Sequence, residues 1–132
     1  MGPVTGPRQV PAFLLADSAW RAVLHILDAP VFVRDPRVWV HVDLDPREPW
    51  IDFPAMLAEG WSPSITALLV AAAHLWADAA TVDQLPPLDL DDLVARLDDD
   101  NWRRLLGALA IRRAGLRGSA WPLDLAGLLE EA

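Results

Sequence analysis

The sequence predicts an α+β domain that is mainly α: a compact helical unit with a central buried helix and a small antiparallel β-hairpin. Three observations predict it. Apolar residues recur at three- and four-residue steps along most of the chain. That period gives way to strict alternation around residue 40. The segment from 63 to 77 is apolar nearly all round, which marks a helix enclosed by others. A chain of 132 residues fits one domain, and its apolar share of 53% can fill a core.

Residues 1 to 12, rich in proline and glycine, read as an extended arm ahead of a single globular domain over 13 to 132. Asp17 or Ser18 can cap a helix that carries Trp20, Val23, Leu24 and Leu27 on one face and stops before Pro30. "VFVRDPRVWVHVDL", residues 31 to 44, predicts two short strands turning at Arg34-Asp35-Pro36-Arg37. Val38, Val40 and Val42 then share one strand face, with Trp39, His41 and Asp43 on the other. "PREP", residues 46 to 49, is a turn, and Trp50-Ile51 is a brief third strand or a core plug.

Asp52 starts a short helix with Pro54 in its first turn and Gly60 as the left-handed stop. Ser62 and Pro63 begin the central helix. Asp89 caps a short helix carrying Leu90, Leu93, Val94 and Leu97. The last long helix shows Trp102, Leu105, Leu106 and Leu109 as an apolar stripe and Gly115 as its stop, and a final short helix begins near Pro122.

Composition excludes several functions. With no cysteine there is no disulfide framework and no thiolate metal site. A net charge of -8 disfavours binding to phosphate backbones or anionic lipid. No secretory leader or membrane span is recognised, so a cytoplasmic location is expected. All eleven basic residues are arginine, a usage typical of GC-rich genomes.

"LDDDNWRRLLGALAIRRAG", residues 97 to 115, is the most charged stretch. Counted from Asp98 as a calcium loop, it has Arg103 where glycine and Leu109 where glutamate are required, so it is not one. As a recognition helix it would lead with Asp98, Asp99 and Asp100, which phosphates repel. Helix polarity accounts for it better. Aspartates favour the positive end and arginines the negative end, each contributing about 0.3–1 kcal/mol.

His25, His41 and His74 lie on different elements without metal-ligand spacing, and neither a nucleophile elbow nor a phosphate-binding glycine loop occurs. No cofactor or metal is expected. His74, inside the apolar helix, reads as a core histidine. His41, with Trp39 and Asp43 beside it, either lies under a covering element or offers a base and a carboxylate to a small molecule.

Seven tryptophans are many for one small core. Trp20, Trp76 and Trp102 fall on helix core faces. Trp39, Trp50, Trp61 and Trp121 do not, and tryptophan is enriched where proteins meet. Ile111, opposite the Trp102–Leu109 stripe and beside Arg104, gives the last long helix a second apolar face.

The runs "IDFPAMLAEGWSPSITALLVAAAHLWADAATVD" and "DLDDLVARLDDDNWRRLLGALAIRRAG" resemble short uncharacterised proteins of high-GC actinobacteria and their mobile elements. The resemblance spans about half the chain. It implies a cytoplasmic protein and no particular activity.

The expected function is a non-enzymatic protein-interaction module, a homo-oligomer or a small subunit of a larger assembly. Its partner-binding residues are Trp39, His41, Trp50, Trp61, Arg104, Ile111 and Trp121. A second expectation is a regulator of nucleic-acid transactions, through a weak helix-turn-helix or through Asp91, Asp92, Asp98 and Asp99 acting as a DNA mimic. A third is a small-molecule enzyme or binder using His41 and Asp43.

Overall fold

The computed structural model describes residues 10–77 and 81–117. Within them helices dominate and one two-stranded antiparallel hairpin completes the architecture. Of the expected arm, residues 1–9 lie outside the described residues, and Ala12 already belongs to α1 (Ala12–Leu15), a single turn that buries Leu14. α2 (Ser18–Leu27) starts where the Asp17 carboxylate accepts from the Ala19 and Trp20 amides, two donors that a helix start leaves open. The chain then turns through residues 28–34 and buries Ala29 and Phe32.

Residues 31–44 depart from expectation. The alternation of Val38, Val40 and Val42 predicts a strand, yet Pro36–Trp39 is a helical turn, α3. The Asp35 carboxylate accepts from the Arg37 amide, and Pro36 sits in the first turn, where its fixed φ suits a helix. Val38 plugs the core and Val40 points to solvent. The hairpin lies further along. β1 (Val42–Asp43) pairs with β2 (Trp50–Ile51), Val42 opposite Ile51 and Asp43 opposite Trp50. The turn between them is shaped by Asp43 and Asp45, whose carboxylates accept from the amides of Asp45 and Arg47.

α4 (Phe53–Leu57) is capped by Asp52 and buries Phe53 and Met56. Gly60 follows at φ +84, the left-handed conformation that glycine adopts without penalty. α5 (Pro63–Trp76) is capped by Ser62 and packs against α2, α4 and two later helices, α6 (Leu90–Arg96) and α7 (Asp99–Arg117). Seven consecutive α5 residues, Ala67 to Ala73, are buried. Trp76 near its end meets Trp20 edge-on at 5.8 Å and Trp50 edge-on at 4.8 Å. A 3-10 turn (Val82–Gln84) leads to Pro86, whose carbonyl accepts from His74 Nε2 at 2.7 Å. His74 is therefore half-buried at a loop junction instead of sealed in the core.

α6 is capped by Asp89 and buries Leu93 alone. α7 lies along α2 in the opposite sense, Gly107 beside His25 and Gly115 beside Ser18. A methyl group on Gly107 would come within 2.5 Å of His25 Nε2, and one on Gly115 would overlap the Ser18 side chain. Gly115 is thus a contact point, and the helix continues past it to Arg117. This close approach also decides which face of α7 turns inward. Leu105, Gly107, Ala108, Ile111 and Ala114 are buried, while Leu109 is 44% exposed. The expected stripe of Trp102, Leu105, Leu106 and Leu109 is divided: Trp102 packs against the core from its edge and Leu109 faces out. The expected final helix near Pro122 lies outside the described residues.

Candidate functional site

The residues singled out as partner-binding fall in three places, and Trp121 lies outside the described residues. The first is the corner of α3 and α4. Trp39 donates its indole N–H to the Phe32 carbonyl at 2.9 Å, and Trp61 donates to the Met56 carbonyl at 2.8 Å. Both rings are half-buried. Phe32 meets the Trp61 ring edge-on, and the Arg37 guanidinium lies 4.0 Å from its centroid. Arg37 also grips Asp35 with two hydrogen bonds, and this bond holds the Asp35 carboxyl below its ordinary range. His41 Nε2 lies 2.7 Å from Glu59 Oε2.

His41 therefore has a carboxylate partner, but not the expected one. It lies in the turn after α3, not on a strand face with Trp39 and Asp43, because residues 36–39 are helical. Asp43 is exposed and serves the hairpin turn. Sequence reasoning missed Arg37 and Glu59 here. The Glu59 contact spans eighteen residues and leaves no local signal.

The second place is the hairpin edge. Trp50 is 51% exposed, with one edge against Trp76. The third is the α2–α7 seam. Ile111, also on α7, is buried in the chain's own core and is not open to a partner in the single chain. Arg104 Nη1 donates to the His25 carbonyl at 3.2 Å, among the last carbonyls of α2, which lack partners within the helix. Arg112 Nη1 donates to Ser18 Oγ at 2.6 Å at the other end of α2. Burial pushes the His25 imidazole below its ordinary pKa, the Arg104 charge adds to this, and Asp28 opposes it.

Three further surface features stand out among the described residues. A groove of about 380 Å³ runs between α5 and the 86–89 loop with α6. Trp61, Val70 and Leu93 line it with Pro86 and Pro87, and Asp92, ion-paired to Arg96, stands at its edge. Beside it, the outer side of α6 presents Leu90 and Val94, 68% and 62% exposed and one turn apart. The outer side of α7 presents Leu109 and Leu116 among Arg103, Arg113 and Arg117, all exposed.

Among the described residues no three His, Asp or Glu side chains converge to hold a metal ion. No helix among them is long and apolar enough to cross a membrane. No protein-family model matches the sequence, and comparison with curated proteins and with solved structures likewise found no match.

Proposed function

We propose that this chain is a non-enzymatic protein-interaction module, acting as a self-associating unit or as a small subunit of a larger assembly. The observation that carries the proposal is the outward pair Leu90 and Val94 on α6, beside the groove that Trp61 and three prolines line. Large apolar side chains grouped on a rigid element lose free energy when a partner removes them from water, at about 25 cal/mol per Å². The aspartates around them supply a polar rim that selects the partner's charge. Cytoplasmic residence belongs to the same proposal.

The test pairs light scattering of the purified chain with capture from an extract of its host. A Leu90→Asp, Val94→Asp variant runs alongside, with circular dichroism to confirm its fold. The wild type is expected to self-associate or to capture a protein, and the variant to lose that behaviour at unchanged helicity. A wild-type chain that stays monomeric and captures nothing refutes the proposal.

A further inference from the structure

α6 and α7 follow one another with only Leu97 and Asp98 between them, yet they carry opposite charge. Residues 89–100 hold six aspartates and one arginine, whereas residues 101–117 hold five arginines and no carboxylate side chain. Arg104 and Arg112 are held against α2, and Arg96 is paired with Asp92. Arg103, Arg113 and Arg117 further along α7, and Asp91 on α6 with Asp99 at the start of α7, are exposed and form no ion pair among the described residues. Each charged stretch carries an exposed apolar pair: Asp91 and Asp92 lie between Leu90 and Val94 along α6, and Arg112 and Arg113 lie between Leu109 and Leu116 along α7.

We propose that these two faces form a self-complementary surface through which two copies of this chain pair. The Leu109–Leu116 face of one copy seats on the Leu90–Val94 face of the other. The inference rests on the protein-interaction reading above and names the partner. Charge complementarity selects a second copy. A basic partner would be drawn to α6 and repelled by α7, and an acidic partner would meet the reverse. A second copy satisfies both faces, and a two-fold axis forms both contacts at once. Copies of a chain with net charge -8 repel one another at long range, so pairing needs this local segregation of charge.

The experiment is sedimentation equilibrium of the full chain over a wide concentration range, with charge-reversed variants. Arg113→Glu with Arg117→Glu makes the α7 face acidic. Asp91→Arg with Ala95→Arg makes the α6 face basic without touching the caps. The wild type is expected as a dimer, each reversed variant as a monomer, and the chain carrying all four substitutions again as a dimer. Melting curves show whether each variant is folded. A dimer that survives both reversals, or a four-fold variant that stays monomeric while folded, overturns the proposal. So does a wild-type monomer in which cross-links tie the outer face of α7 to residues 118–132 of its own chain. A wild-type monomer that still captures another protein through α6 refutes the pairing and leaves the interaction reading standing. A monomer that captures nothing refutes both.

Discussion

α7 and α6 are both rich in leucine, yet one is fixed and the other only attached. α7 meets α2 closely at Gly107 and Gly115, residues small enough to let the two helices approach, and Arg104 and Arg112 tie the two ends of α2 to it. α6 anchors itself through Leu93, while Leu90 and Val94 point away from the core. Apolar content therefore does not rank these helices by burial. The number of elements around a helix does, and so does the smallness of the residues where it crosses them. A short helix at the margin of the fold has one side to bury and displays the other.

Three measurements break or sharpen this contrast. The largest effect belongs to the seam. Alanine normally improves a helix interior over glycine by about 1 kcal/mol. At Gly115 the added methyl overlaps Ser18. Gly115→Ala should therefore lose about 2 kcal/mol in urea unfolding, within the usual cost of overpacking. A gain would show that α2 and α7 have room to separate.

Next comes the pH response of the same seam. Folding holds the His25 pKa below its unfolded value near 6.5, so between the two the unfolded chain binds more protons. The seam's stability is complete above the unfolded pKa and declines as pH falls through that value towards the folded one. Urea midpoints across this interval should drop on acidification in the wild type and drop less in His25→Gln. Equal slopes in the two proteins would place the titration elsewhere. The smallest effect belongs to α6. At a protein concentration low enough to keep the chain monomeric, Leu90→Ser with Val94→Ser should change stability by no more than about 0.5 kcal/mol, the range of ordinary surface substitutions. A loss as large as that of Gly115→Ala would mean that this face is not free.

Much of the fold was legible because helix starts are written locally. Asp17, Asp52, Ser62 and Asp89 each reach an amide two or three residues on, and all four were readable as caps. The hairpin was displaced because two local signals conflicted. The valine alternation favours a strand, but Asp35 and Pro36 nucleate a helical turn inside it, and the turn prevails where Val38 finds the core. Gly115 was misread because a glycine near a helix end looks alike whether it stops the helix or accommodates a neighbour. The chemistry was less legible than the fold. Trp39 and Trp61 were singled out as ring-bearing surface, yet each satisfies its N–H on a nearby backbone carbonyl, and that choice depends on loop geometry with no signature in residue type. The charge contrast between residues 89–100 and 101–117, by comparison, needs no coordinates at all.

The chain of indoles Trp50, Trp76 and Trp20 also equips the molecule with an optical gauge. Light absorbed by any ring in this relay can pass to its neighbours, and the half-exposed terminal ring feels the solvent first. Loosening of the hairpin from the end of α5 should register as a red shift in intrinsic emission before the rest of the fold responds.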